Sequence, residues 1–265
     1  MAIRPKSAEA IEHMRRAGRT VAKVLERLEE MARPGVTTAE LDREAVRIIR
    51  EPGATSLFLG QPHPRDGRLY PGNICVSLNE ELVHGIPGPR KIAEGDIISV
   101  DVGVKQEGWC ADAARTFAVG RVPDRVRKLL EVTAETLEIV RTEARAGVLW
   151  SAVASRIEDL VRRAGFSIVT DYVGHGIGRH MWEEPKVPNF VSRDLLRNDW
   201  ILIEGMTMAV EPMVNLGGHA VREKDDGWTV ATADGRPCAH FEDTFVVRRD
   251  GAEPLTRVET VPKGG

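Results

Sequence analysis

The chain has 265 residues, with 37 lysines and arginines against 40 aspartates and glutamates and a formal net charge of −3. This balance leaves no positive excess for nucleic acid or an anionic membrane, so neither is expected as a partner. The three cysteines form no CxxC pair, which argues against a disulfide framework and a thiolate zinc site and favours a reducing compartment. No stretch resembles a signal peptide or reaches the roughly 20 apolar residues of a membrane-spanning helix, so we expect a cytoplasmic protein.

The N-terminal part of the sequence predicts two amphipathic helices and a long loop. Apolar residues recur every three or four positions between 7 and 31, which is the helical period. Thr37 and Glu40 have the spacing of a capping box at the start of the second helix. Residues 52–72 hold eight glycines or prolines in 21 positions. We expect a surface loop there, of a length that often rims a functional site.

The remaining sequence predicts strands in two groups, separated by helices at about 123–145 and 151–164. The predicted strands lie at 74–78, 96–104, 109–119, 166–173, 201–214, 228–232 and 240–248. Glu107-Gly108 stands where a hairpin turn would join two of them. Because the helices are grouped and the strands resemble hairpins, the fold class is α+β with a largely antiparallel sheet.

Matching segments indicate an internal repeat. Glu-Gly-Asp-Ile-Ile-Ser-Val-Asp at 94–101 is mirrored by Glu-Gly-Met-Thr-Met-Ala-Val-Glu at 204–211. Shorter pairs of matching segments occur before and after this pair, and all the pairs follow the same order in the two parts of the chain. We therefore expect one catalytic domain over 1–265, built from two related halves at about 7–120 and 123–250.

The repeat places acidic residues at equivalent positions. Asp101 aligns with Glu211, while Asp112 and Glu242 each stand shortly before a Thr-Phe pair. Carboxylates among apolar strand residues are costly to bury unless they are paired or bind a metal. His175, between two glycines, adds one nitrogen to these four acids. Such a set suits two divalent cations about 3.5–4 Å apart, as in a dinuclear hydrolase.

The motifs that carry these residues resemble those of the type I methionine aminopeptidases over practically the full length of the chain. They are GDIISVDVG, DAARTF, GHGIG, VEPM, DGWTV and FEDTF, in that order. The resemblance implies the pita-bread fold, in which two pseudo-symmetric halves share a mainly antiparallel, curved sheet covered by helices.

The resemblance also implies a role for each candidate ligand. Asp101 would chelate one metal ion, Asp112 and Glu242 would bridge both ions, and His175 with Glu211 would hold the other. The two ions would be cobalt, manganese, iron, nickel or zinc, since oxygen-rich ligands with one imidazole accept all of them.

The implied activity is removal of the N-terminal methionine from nascent or short polypeptides whose second residue is small. A hydroxide bridging the two metals would attack the scissile carbonyl, and Glu211 would move the proton. His84 matches a family histidine that hydrogen-bonds the substrate near the scissile amide.

The substrate pocket should be apolar and sized for an unbranched thioether. By resemblance Cys75, Met181 and Trp228 are candidates to line it. Phe58 is a further candidate, although the 52–72 loop aligns poorly with the family and carries extra residues.

One position departs from the family's motif. After Gly-His-Gly-Ile-Gly the family usually carries a second substrate-binding histidine, where this chain has Trp182, and a histidine appears two places earlier at His180. A tryptophan donates one hydrogen bond but neither accepts one nor titrates. We expect a slower enzyme in which Trp182 contacts the substrate, unless His180 takes the missing role.

Three other functions remain open. One is a metal-free hydrolase of the same fold, which would lack the acids. A proline-specific (Xaa-Pro) aminopeptidase uses a similar ligand set, but its group resembles chains with an extra N-terminal domain that 265 residues do not hold. A non-catalytic pita-bread binding module, ribosome-proximal, is the third alternative, and the presence of all five ligand positions argues against it. Of the remaining histidines, His240 shares a strand face with Glu242, whereas His13, His63 and His219 are expected to be solvated.

Overall fold

The computed structural model describes residues 4–257, and its first half consists of two helices and five strands. In chain order these are α1 (Ala8–Met31), α2 (Thr38–Arg50), β1 (Thr55–Ser56), β2 (Cys75–Leu78), β3 (Glu81–Val83), β4 (Ile97–Gln106) and β5 (Trp109–Ala118). Both helices lie where the apolar period predicts them. Ser7 caps α1 by accepting a hydrogen bond from the backbone N–H of Ala10, and Thr37 with Glu40 forms the predicted capping box of α2.

The second half begins with two helices and continues in short strands. In chain order the elements are α3 (Asp124–Glu143), α4 (Trp150–Arg163), β6 (Ser167–Ile168), β7 (Gly174–Gly176), β8 (Glu183–Val187), α5 (Arg193–Arg197), β9 (Thr207–Val210), β10 (Met213–Asn215), β11 (Val221–Glu223), β12 (Val230–Thr232), β13 (Cys238–His240), β14 (Asp243–Val247) and β15 (Ala252–Pro254). No helix within residues 4–257 combines the length and the apolar character that crossing a membrane requires.

Two main sheets and two small ones organise the strands. In the first main sheet β4 pairs with β5 along one edge and with β1 and β2 along the other. The second has the order β15-β14-β9-β7-β8, and the small sheets are β13-β10-β6 and β11-β12-β3. Every pairing between these strands in the described chain is antiparallel, which confirms the predicted α+β class. The predicted hairpin turn is present, since Glu107 and Gly108 both have positive φ, 51° and 80°, as a type I′ turn requires.

Each main sheet is covered by one pair of helices. The first apolar core packs α1 and α2 against β2, β4 and β5, with Leu28 and Leu41 fully buried. The second packs α3 and α4 against β9 and β14, around Trp150 and Phe245. Burial of these faces is the main source of stability of each half.

The two main sheets meet where β5 runs beside the start of β14. Ala114 and Glu242 exchange two backbone hydrogen bonds here, of 3.2 and 2.9 Å. The hydroxyl of Thr244 accepts from the backbone N–H of Asp112 and donates to its carbonyl oxygen. This contact brings acidic residues of both halves together.

The structure also corrects several sequence-based predictions. The predicted strand at 201–214 is interrupted at Glu211-Pro212, since proline has no N–H for the ladder, and the one at 166–173 is reduced to the two residues of β6. The 52–72 segment is not only a surface loop, because Phe58 and Tyr70 are buried. The first and last residues of the expected domain, 1 and 265, lie outside the described part of the chain.

Candidate metal centre

Five elements carry the five candidate metal ligands to one place. Asp101 lies on β4, paired with Ala114 of β5, and Asp112 lies on β5, paired with Gly103 of β4. The other three ligands are His175 on β7, Glu211 directly after β9 and Glu242 directly before β14. All five line a single cavity of about 390 Å³.

Glycine positions explain how these side chains fit. A Cβ at Gly103 would lie 2.8 Å from the Phe58 ring and 3.2 Å from Asp112 Oδ1. A Cβ at Gly174 would meet the carbonyl oxygen of Ala209 at 2.3 Å, and one at Gly176 would meet that of Glu184 at the same distance. The glycines that flank His175 therefore permit close packing of β8 and β9 around it.

The distances are compatible with shared cations. One potential ligand atom each from Asp112, His175 and Glu242 lies within 4.8 Å of the other two. His175 Nε2 is 3.8 Å from Glu211 Oε1, which connects the fourth ligand to this group. Asp101 completes the set from the neighbouring strand.

Electrostatics shows that the centre requires positive charge. Asp101 Oδ1, Asp112 Oδ1 and Glu242 Oε1 are buried and have no hydrogen-bond partner among the described residues. Burial, reinforced by repulsion between neighbouring carboxylates, raises the pKa of Asp101, Glu211 and Glu242 well above the usual range. Burial raises the pKa of Asp112 to about 7. Divalent cations would neutralise this repulsion and satisfy the orphaned oxygens.

His175 has the environment of a metal-ligating imidazole. Its Nδ1 hydrogen-bonds the carbonyl oxygen of Gly176 at 2.9 Å, which leaves Nε2 facing Glu211. Burial lowers the pKa of His175, so the ring is neutral as a ligand must be. Four carboxylates and one oriented imidazole thus fit the divalent cations that the sequence predicts.

Part of the cavity lining is apolar. Phe58, Tyr70, Cys75 and Met181 pack together there, and Trp228 packs against them. The four residues that the sequence proposes for the pocket, Phe58, Cys75, Met181 and Trp228, all line this cavity. Burial raises the pKa of the Cys75 thiol well above its usual value. The sequence did not identify the lining residues Gln61, Pro62, Pro64 and Tyr70. The only local signal for them was the length and composition of the 52–72 loop.

His84 lies beside the metal centre in an unusual backbone conformation. Its φ is 60°, which is uncommon for a residue other than glycine and often marks a functional position. Its ring contacts Tyr172 edge-on, with centroids 5.8 Å apart. Burial lowers the pKa of His84 to about 4, so the imidazole is neutral at physiological pH.

Trp182 and His180 occupy different places. Trp182 lies at the boundary between the inner cavity and an outer groove of about 1200 Å³, and its side chain is 60% exposed. His180 is exposed and lines the outer groove but not the inner cavity. Four cationic residues also line the outer groove, namely Arg4, Lys6, Arg179 and Lys186.

The sequence also makes predictions for two further histidines, His240 and His63, and the structure agrees with only the first. His240 is 2% exposed and lies on the face shared with Glu242, as the strand period predicts. His63 is not solvated as expected, and that prediction is wrong. Its side chain is 10% exposed and meets the Trp228 ring edge-on, with centroids 5.0 Å apart.

The sequence pattern of metallopeptidase family M24 matches residues 12–249 of this chain. The chain belongs to family M24. Membership confirms the pita-bread fold and implies the use of divalent metal ions, which agrees with the buried carboxylates.

Within this family, the chain is similar to bacterial methionine aminopeptidases. Methionine aminopeptidase 1 of Bacillus subtilis is 44% identical over 245 residues, which cover 92% of this chain and 95% of the relative. The crystal structure of methionine aminopeptidase from Thermotoga maritima has a TM-score of 0.91 at 38% identity, and covers 97% of this chain and 100% of that one.

The solved structure of an Xaa-Pro dipeptidase from Bacillus anthracis shares the fold alone. Its TM-score is 0.74 at 23% identity, and the match covers 96% of this chain but 62% of the dipeptidase. The similarity to proline-specific enzymes therefore extends to the architecture and carries no conclusion about substrate.

Proposed function

We propose that this protein removes the N-terminal methionine from polypeptides whose second residue is small. The observation that carries the proposal is that the five candidate ligands and the apolar side chains of Phe58, Tyr70, Cys75, Met181 and Trp228 line one cavity of about 390 Å³. The methionine aminopeptidases of Bacillus subtilis and Thermotoga maritima, similar over nearly their whole length, support the same activity.

The five residues Asp101, Asp112, His175, Glu211 and Glu242 would hold two divalent cations. When bound, a pair of divalent cations acidifies water and polarises a carbonyl group. Manganese, iron, cobalt, nickel and zinc all suit this donor set, and supply in the cell decides among them.

The inner cavity binds the methionine side chain. Phe58, Tyr70, Cys75, Met181 and Trp228 offer an apolar surface to the flexible thioether. Because the carboxylates line the same cavity, a residue whose side chain is bound there would have its own peptide bond close to them.

Two side chains of the centre act on the substrate directly. His84, neutral and at the border of the inner and outer cavities, hydrogen-bonds the substrate near the scissile amide. Glu211 also lines both cavities. Its carboxylate takes up a proton from the water that attacks the peptide carbonyl and delivers this proton to the departing amine. The rest of the polypeptide passes Trp182 into the outer groove. Nascent chains are the expected source of such substrates, which would place the protein near the ribosome.

A peptide panel with the metal-loaded protein tests this proposal. We expect fast release of methionine from Met-Ala-Ser and Met-Gly-Ser, at least tenfold slower release from Met-Leu-Ser, and no cleavage of Ala-Pro-Ser. Preferential cleavage of Ala-Pro-Ser would identify a proline-specific enzyme. Absence of turnover on every peptide, with cations bound, would favour the binding module.

A further inference from the structure

His240 is a buried histidine that the proposed mechanism does not use. It is the last residue of β13, two positions before Glu242, and it is 2% exposed. Both of its ring nitrogens are buried without a hydrogen-bond partner in the part of the chain that the structure describes. Buried polar nitrogens usually have partners, so this ring requires an explanation.

The imidazole points at two of the candidate ligands. His240 Nε2 lies 3.9 Å from Glu211 Oε2 and 3.9 Å from Glu242 Oε2. This separation is too long for a direct hydrogen bond. Two atoms that bind one cation at about 2.1 Å are roughly 3.0 Å apart at a right angle and about 4.2 Å apart when opposite each other. Each distance taken separately therefore suits a pair of atoms that share a cation.

Hydrogen bonds hold the backbone of His240 in place behind the ring. The N–H of His240 donates to the hydroxyl of Thr116 at 2.9 Å, and that hydroxyl donates to the carbonyl oxygen of His240 at 2.9 Å. The same threonine is hydrogen-bonded to Ser99, so strands β13, β5 and β4 are connected behind the ring. A ring nitrogen whose lone pair faces two carboxylates is repelled by them unless a cation lies between.

We propose that His240 supplies a second imidazole nitrogen to the metal centre, beside Glu211 and Glu242. This inference rests on the proposed function in requiring that the centre binds cations. A second nitrogen would favour zinc, cobalt, nickel or iron over manganese, because imidazole suits the former and carboxylate oxygen suits the latter.

X-ray absorption spectroscopy of the protein loaded with two equivalents of Co²⁺ tests the assignment, because scattering from the outer atoms of the ring counts bound imidazoles. We expect two imidazoles per protein in the wild type and one in His240→Gln. Calorimetry should show a loss of Co²⁺ affinity of at least tenfold in this variant. His219→Gln removes an exposed imidazole elsewhere, and it should change neither measurement.

One imidazole in the wild type would overturn the inference, and this spectrum decides the question even if His240→Gln does not fold. The inference would also be overturned if His240→Gln bound Co²⁺ more weakly but kept the same number of bound imidazoles as the wild type. His240 would then act through the carboxylates. Failure of the wild type to bind Co²⁺ at all would refute the proposed function itself, which is a distinguishable result.

Discussion

Trp182 stands where the sequence leads us to expect a second substrate-binding histidine. Its indole is 60% exposed at the junction of the inner cavity and the outer groove, and it offers the substrate one N–H donor. A histidine there could also accept a hydrogen bond and change charge. We expect Trp182→His to raise kcat/KM for Met-Ala-Ser by roughly tenfold, the equivalent of one good hydrogen bond in the transition state.

The matched control is Trp182→Phe, which removes the donor and adds no acceptor. Its kcat/KM should not exceed that of the wild type. If Trp182→His gains nothing, the tryptophan does not limit catalysis.

At the scale of single residues, the sequence identifies site residues when their chemistry conflicts with that of their sequence neighbours. Asp101 and Asp112 stood out because carboxylates among apolar strand residues need a compensating charge. His63 could not be predicted, because its contact with Trp228 joins segments more than 150 residues apart. Tyr70 was missed for a similar reason, since its hydroxyl bonds to the carbonyl oxygen of Gly85 in another segment.

At the scale of elements, Glu81 connects strand β3 to two loops. Its carboxylate is almost fully buried and accepts hydrogen bonds from Arg90, Lys224 and the backbone N–H of Leu78. Burial alone would raise the pKa of Glu81, but these bonds outweigh it and lower the pKa. We expect Glu81→Gln to lower the free energy of unfolding of the metal-free protein by about 1–3 kcal/mol at pH 7, measured by urea denaturation.

The pH dependence of this difference follows from the sign of the shift. A carboxyl group whose pKa is lowered by folding stabilises the native state above its ordinary pKa of 4.5 and loses that contribution as the pH falls. The difference between the wild type and Glu81→Gln should therefore shrink below pH 4.5. Glu135→Gln, on the exposed face of α3, should change stability by less than about 0.5 kcal/mol. A difference between the wild type and Glu81→Gln that is constant down to pH 3 would contradict the assigned role.

Elements with a strong local pattern were predictable, and those that depend on distant contacts were not. Helices α1 and α2 have caps and apolar stripes in their own sequence. Strand β7 consists of Gly-His-Gly, which has little strand propensity and pairs only because β8 and β9 enclose it. Its existence is a property of the tertiary fold.

At the scale of the whole molecule, helix α1 packs closely against the C-terminal segment at Gly18. A Cβ at this position would lie 1.9 Å from the carbonyl oxygen of Leu255, which belongs to the backbone and cannot rotate away. Alanine favours a helix over glycine by about 1 kcal/mol. The clash outweighs this gain, so we expect Gly18→Ala to destabilise the protein by roughly 1–3 kcal/mol in urea denaturation.

Gly218→Ala is the matched control, because nothing lies within 4 Å of a Cβ at that exposed position. It should change the free energy of unfolding by less than about 0.5 kcal/mol. A stabilised Gly18→Ala protein would show that α1 does not pack closely against Leu255.

The division into two related halves remains a prediction from the repeat. Each half contains a pair of helices over an antiparallel sheet, α1 and α2 in one and α3 and α4 in the other. The repeat could indicate that Asp101 and Glu211 occupy equivalent positions. It could not reveal how the sheets join, because the contact between Ala114 and Glu242 is made by backbone atoms.

The most direct test of the whole account is a metal titration of activity. The protein is freed of metal by exhaustive chelation, and release of methionine from Met-Ala-Ser is measured as Co²⁺ or Mn²⁺ is added. We predict no turnover without metal and a rise that is complete at about two equivalents, with at least 10³-fold less activity in Asp112→Asn. Full turnover by the metal-free protein would contradict the central claim that these carboxylates hold the cations of an aminopeptidase.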